Sequence, residues 1–114
     1  MTKLKIGCLQ LQLMKSGNFE LVKEKILSFK QDKCDIIVLS ELCVGGPGSN
    51  NTEYYLDNYQ DKFSVLAKEL KTWLIPGTFY EKVGEQVFNV APVFSPDGKI
   101  VQKSRKNFPW LPYE

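Results

Sequence analysis

The chain has 114 residues, of which 43% are hydrophobic and 25% are charged, a composition typical of one globular domain or part of one. Fifteen Lys and Arg against thirteen Asp and Glu leave a formal net charge of +2, which favours neither a nucleic-acid-binding nor a membrane-surface protein. The absence of histidine excludes Ser-His-Asp and Cys-His catalysis within these residues.

The distribution of apolar residues and cysteines indicates a cytoplasmic protein. No uninterrupted apolar run approaches the ~20 residues that a membrane-spanning helix needs. Residues 1–6 pass directly into a strand-like pattern, without the apolar core of a signal peptide. The three cysteines are odd in number and lack metal-type spacing, so that they suggest neither a disulfide framework nor a metal site.

The first forty residues carry the pattern of a strand, a helix and a second strand. Residues 4–13 have apolar side chains on both faces of an extended segment, which predicts a buried strand. Asn18 is the predicted N-cap of a helix over residues 19–31, where apolar residues recur at helical spacing. Residues 36–39 form a short apolar run typical of a strand covered on both faces. This order predicts a βαβ unit with a right-handed crossover.

The rest of the chain predicts a second helix followed by hairpin-connected strands. Residues 45–52 are rich in Gly, Pro and Asn and predict a loop, whereas residues 60–71 place apolar side chains along one stripe of a helix. Further strands, separated by turn-forming residues, are expected over 73–75, 78–80, 87–94 and 99–103. The predicted fold is therefore α/β, with a mixed sheet, two helices and at least one helix-covered face.

Two charged residues directly follow predicted strands. Glu41 comes after the apolar run 36–39 and before the glycine-rich loop, at the strand end where ligands bind in α/β sheets. Lys106 follows the last predicted strand. Taken singly, Glu41 is better explained as a solvent-exposed carboxylate, and Lys106 as one member of the basic cluster that runs from Lys99.

Four short segments, in a fixed order, carry a family resemblance. They are Leu-Ser-Glu-Leu at 39–42, Phe-Asn-Val-Ala at 88–91, Ser-Pro-Asp-Gly-Lys-Ile at 95–100 and Lys-Ser-Arg-Lys-Asn-Phe-Pro-Trp at 103–110. Together they resemble the nitrilase superfamily of carbon–nitrogen hydrolases. The resemblance runs from about residue 5 to residue 114.

Individual positions match the family pattern with one departure. Asn89 matches the asparagine of the family's hairpin strand, Asp97-Gly98 its Asp-Gly turn, and Arg105-Lys106 its arginine-lysine pair. Ser40 stands where the family usually has a proline before its glutamate. The ending over residues 109–114 is more similar to amidase-type members than to nitrile-cleaving ones.

The resemblance implies a catalytic site built from a glutamate, a lysine and a cysteine. Glu41 would be the general base, Lys106 would stabilise the thiolate and the oxyanion, and Glu114 would be a supporting second glutamate. The family's cysteine follows its lysine by some tens of residues, beyond residue 114. Cys43 is near Glu41 in sequence but does not match that position, and a packing role is the simpler interpretation.

The same resemblance implies an incomplete domain. The family fold is a four-layer α-β-β-α sandwich of more than twice this length, so residues 1–114 are expected to form the N-terminal part of a carbon–nitrogen hydrolase domain, without the nucleophile. The expected substrate is a linear amide or carbamoyl compound, cleaved through a thioester without metal or organic cofactor.

Several functional hypotheses follow from that incompleteness. The first is a hydrolase fragment that is inactive alone and competent only with a C-terminal piece. Its expected partner is a C-terminal segment or, in a homo-oligomer, further copies of the chain. The second is a non-catalytic remnant that binds a full-length relative or another protein through an uncovered sheet face. A nucleic-acid-binding domain has only the basic cluster of residues 99–106 in its favour, and neither nucleic acid nor membrane is expected as a partner.

Overall fold

The structure is a computed structural model that describes residues 3–109. Its helices and strands follow one another in the order β1-α1-β2-α2-β3-β4-β5-β6. The bounds are β1 Ile6–Cys8, α1 Phe19–Leu27, β2 Ile36–Val38, α2 Gln60–Leu70, β3 Trp73–Ile75, β4 Phe79–Val83, β5 Gln86–Phe94 and β6 Ile100–Arg105. Two short 3₁₀ turns, Thr52–Tyr54 and Leu56–Asn58, lead into α2.

The strands form one mixed sheet. β1, β2 and β3 are parallel neighbours, as the βαβ pattern predicts, whereas β3 is antiparallel to β5. β5 is the long central element: Val90 pairs with Phe79 of β4 and with Arg105 of β6. β6 therefore lies along one edge of β5, and β3 and β4 lie end to end along the other.

Both helices cover the same face of the sheet. Val22 and Ile26 of α1 and Phe63 and Leu66 of α2 are buried, at the spacing that places them on one side of each helix. They join the buried strand residues in one core, which includes Ile37, Leu39, Leu74, Phe79, Val90 and Phe94. The expected α/β fold with a mixed sheet and two helices is confirmed.

The opposite face of the sheet is open. Ile6, Ile36 and Trp73 are cross-strand neighbours in register, one residue away from positions that face the core. Ile6 is 53% exposed and Trp73 is 40% exposed. The expectation that β1 is covered on both faces is therefore wrong for residues 3–109, because the helices that this part of the chain supplies reach one face alone. These apolar residues define what we call the open face, completed by Cys8, Val38 and Ile75.

Two local predictions differ from the structure. Helix α1 ends at Leu27, not Gln31, because the next residues form tight turns in which Phe29 N–H donates to Ile26 O. Asn18 precedes α1 but makes no side-chain capping bond. Its buried amide instead binds the backbone of Met14, so it fastens the preceding segment. Among the described residues, no helix is long and apolar enough to cross a membrane.

Candidate active site

Glu41 lies just beyond the end of β2, where the chain enters a turn. The ladder of β2 extends one residue further, since Leu39 N–H donates to Ile75 O at 2.9 Å. Leu42 has φ of +51°, a left-handed conformation that is uncommon for a leucine. Its N–H donates to Oγ1 of Thr78 at 3.0 Å. This bond ties the turn to the start of β4, and so the backbone beside Glu41 is held in an unusual conformation by a neighbouring strand.

The carboxylate of Glu41 meets two nitrogen donors. Nζ of Lys106 lies 3.0 Å from Oε2 of Glu41, and Nδ2 of Asn89 donates to the same oxygen at 2.9 Å. Asn89 is in β5, and Lys106 directly follows β6. Three segments far apart in sequence therefore place a carboxylate, an ammonium group and an amide together at one end of the sheet.

This cluster is partly open to solvent. The side chain of Glu41 is 51% exposed and that of Lys106 is 32% exposed, whereas Asn89 is buried. An ion pair at this exposure contributes at most about 1 kcal/mol to stability. Its carboxylate can nevertheless accept a proton, and its ammonium group can stabilise a neighbouring negative charge.

The described cysteines do not complete the cluster. Cys43 is buried, and its Sγ–H donates to Pro76 O at 3.4 Å. Burial raises the pKa of the Cys43 thiol to about 12, so the reactive thiolate is not formed at neutral pH. Cys34 is also buried, and Cys8 is exposed in β1. The interpretation of Cys43 as a packing residue agrees with these surroundings.

The basic cluster at the end of the chain is engaged in contacts within the protein. Nζ of Lys103 lies 2.6 Å from Oε2 of Glu81, a carboxylate that is largely buried. Lys99 lies 3.8 Å from Asp97, and the guanidinium of Arg105 lies 3.8 Å from the centre of the Phe88 ring. With Lys106 on Glu41, each of these four cations contacts a group of the same chain, although Lys99 stays 80% exposed.

The structure describes two of the three predicted site residues. Glu41 and Lys106, 65 positions apart, are brought into contact. The family resemblance gives Asn89 no role. In the structure Asn89 lies opposite Tyr80 in the β4–β5 hairpin, at the same end of the sheet. Glu114 lies outside the described residues. Within residues 3–109, no three side chains of the types that commonly bind metals come together.

A comparison with models of known protein families identifies the family of this chain. The model of the carbon-nitrogen hydrolase family matches residues 5–114. The chain belongs to this family. It corresponds to the N-terminal portion of the nitrilase superfamily domain, as the motifs predicted.

Individual family members agree with this relationship. The chain is 30% identical to a hydrolase of Schizosaccharomyces pombe over 110 residues, which are 90% of this chain and 34% of that protein. It is also 30% identical to omega-amidase NIT2 of Homo sapiens over 113 residues, which are 93% of this chain and 41% of the relative. The chain thus spans well under half the length of the curated relatives that it matches.

A solved structure of the family shares the fold. The amidase from Nesterenkonia sp. AN1, in a variant bound to butyramide, superimposes with a TM-score of 0.79 over 96% of this chain and 45% of that one, at 13% identity. At this identity the likeness concerns the fold. The mixed sheet with two helices on one face is therefore the part of the carbon–nitrogen hydrolase fold that this chain supplies.

Proposed function

We propose that residues 1–114 form the N-terminal part of a carbon–nitrogen hydrolase domain that cleaves a linear amide or carbamoyl compound. The observation that carries this proposal is the contact of Glu41 with Lys106 at the strand ends. The omega-amidase name of several relatives and the butyramide bound to the related amidase support an amide substrate. The chain alone is expected to be inactive, because the nucleophilic cysteine would come from the part of the domain that these residues do not span.

The proposed reaction is acyl transfer through a thioester. Glu41 takes the proton of the cysteine thiol, and the thiolate attacks the carbonyl carbon of the substrate. Lys106 stabilises the oxyanion of the tetrahedral intermediate, which collapses when the leaving amine takes the proton from Glu41. A water molecule, deprotonated by Glu41, then attacks the thioester and releases the acid and the thiol. Glu114 is proposed as a second glutamate that supports Lys106.

The arrangement has the electrostatic properties that such a mechanism needs. The ammonium group of Lys106 lies 3.0 Å from the carboxylate of Glu41, so a positive charge and a proton acceptor stand side by side. The side chain of Glu41 is half-exposed, so it is accessible to groups outside these residues.

A chimera tests the proposal. Residues 1–114 are joined to the portion of human omega-amidase NIT2 that follows its matched region, and ammonia release from butyramide is measured. We expect hydrolysis, and we expect Glu41→Gln and Lys106→Ala to lower kcat by at least about a hundredfold, since general bases and oxyanion donors contribute roughly 10²–10⁴ each.

Matched variants make the result specific. Glu85→Gln and Lys99→Ala change the same residue types at exposed positions outside the cluster, so we expect both to keep the activity of the unmodified chimera. An active chimera in which Glu41→Gln and Lys106→Ala have no effect would contradict the proposed roles of these two residues.

A second candidate function rests on the open face. A row of apolar side chains that nothing covers within residues 3–109 favours a non-catalytic chain that binds a full-length relative or another protein through this face. A chimera that folds, contains the cysteine and hydrolyses neither amides nor carbamoyl compounds would favour this candidate over the enzyme.

A further inference from the structure

Asn89 is the residue that links the two charged members of the cluster. Its side-chain Nδ2 donates to Oε2 of Glu41 at 2.9 Å, and its backbone carbonyl accepts the N–H of Lys106 at 2.8 Å. We infer that Asn89 is a positioning residue, which fixes the carboxylate of Glu41 relative to Lys106. This inference rests on the proposed function for its catalytic meaning, but its geometry can be tested without turnover.

The surroundings of Asn89 are more rigid than those of its two partners. Asn89 is 6% exposed and lies in the middle of β5, where it pairs with Tyr80 of β4, while the next residue pairs on both sides. Glu41, in contrast, stands in a turn, and Lys106 follows the last residue of β6. Asn89 therefore sets the distance between Glu41 and Lys106, each of which lies just beyond the end of a strand.

The hydrogen bond from Asn89 holds the carboxylate of Glu41 directly. An amide nitrogen donates and does not accept, so Nδ2 of Asn89 can bind a carboxylate oxygen. Nζ of Lys106 lies 3.0 Å from the same oxygen, Oε2. The carboxylate is thus held both from β5 and from the end of β6.

An NMR measurement on the 114-residue chain tests this contact. The side-chain amide of Asn89 is labelled with ¹⁵N, and its signal is assigned by its loss in Asn89→Leu. We expect this signal to move in Glu41→Gln, because the carboxylate that accepts its hydrogen bond is replaced by a neutral amide.

The control makes the same change at another glutamate. Glu85→Gln removes one negative charge at an exposed position in the turn between β4 and β5. We expect it to leave the Asn89 amide signal in place. A signal that does not move in Glu41→Gln, or that moves equally in Glu85→Gln, would overturn the inference.

A second measurement concerns turnover. In the active chimera, Asn89→Leu is expected to lower kcat at least about tenfold with little change in KM, since it misplaces the base. An unchanged kcat of the Asn89→Leu chimera would also overturn the inference. Failure of the NMR measurement leaves the hydrolase proposal standing, whereas an inactive chimera with the expected NMR shifts removes that proposal alone.

Discussion

Cys43 lies two residues after Glu41, yet it has the surroundings of a core residue. It is 1% exposed, and the raised pKa of about 12 follows from the cost of placing a thiolate away from water. Cys8 is exposed in β1. We therefore expect iodoacetamide at pH 8 to alkylate Cys8 rapidly and to leave Cys43 unmodified until the chain is unfolded, as read by mass spectrometry of peptides.

The same burial predicts a dependence of stability on pH. Above the ordinary thiol value of 9.0, the unfolded chain loses the Cys43 proton while the folded chain keeps it until about pH 12. The unfolded state thus binds fewer protons in this window, and the free energy of unfolding falls as pH rises through it, by up to about 1.4 kcal/mol per pH unit. Urea denaturation of the chain and of Cys43→Ala isolates this contribution, because other alkaline groups are common to both. Parallel pH profiles of the two proteins would contradict it.

The site residues differ in how much of their role the sequence could predict. Glu41 and Lys106 were predicted as site residues partly because each follows a predicted strand, and strand ends can be read from local patterns. The bond from Asn89 to Glu41 spans 48 positions and depends on the register of β4 with β5, which no local pattern specifies. Asn18 has the residue type of an N-cap, but its amide finds partners in Met14 that only tertiary contacts bring near.

At the scale of elements, the segment that joins β3 to β4 passes close to the end of β2. Gly77 has φ of +79°, and a Cβ built there would lie 2.0 Å from the backbone oxygen of Ser40, the residue before Glu41. Since backbone cannot move aside as a side-chain end can, we expect Gly77→Ala to separate the two segments. We expect urea denaturation of Gly77→Ala to show a lower free energy of unfolding. The left-handed conformation should account for about 1–2 kcal/mol of the loss, and the contact with Ser40 for roughly another 1–3 kcal/mol.

Gly84 provides the matched control for this substitution. It also has a positive φ, of +63°, but nothing lies within 4 Å of a Cβ built there. Gly84→Ala should therefore carry the conformational cost alone, about 1–2 kcal/mol. Equal losses of stability in the two variants would show that Gly77 is needed for its conformation and not for the close approach to Ser40.

The elements themselves were largely predictable, and the misses have physical causes. α2 and β3 were expected within a residue of their bounds, because apolar periodicity and the sharp change of pattern at Thr72 mark both ends. β1 was expected to extend to Leu13 but ends at Cys8, because it pairs with β2, which is itself three residues long. Leu9 N–H still donates to Val38 O of β2, whereas Leu11 and Leu13 pack on the core outside any strand.

At the scale of the molecule, the open face explains why sequence and structure disagree about burial. Apolar residues on both sides of a strand indicate two covered faces, and this pattern is present in β1, β2 and β3. The helices of this chain cover one of them. The chain spans 34% and 41% of the length of the two curated relatives named above, so we expect the cover of the second face to come from parts of the domain that the chain does not span.

An isolated chain with this surface should associate with itself. Ile6 and Trp73 are exposed at the two ends of one cross-strand row, with Ile36 between them, and removing such side chains from water is favourable by about 25 cal/mol per Å². We expect sedimentation velocity of the 114-residue chain to show association that increases with concentration.

A charge on this surface tests the expectation. Ile6→Lys places a charge at one end of the row without disturbing the core, and it should raise the dissociation constant at least about tenfold, since a buried charge without a partner costs well over 1.4 kcal/mol. Val65→Lys is the matched control, because Val65 is 64% exposed on the outer side of α2, away from the sheet. If the unmodified chain is monomeric at all concentrations, or if Val65→Lys weakens association as much as Ile6→Lys does, the open face is not the surface through which the chain associates.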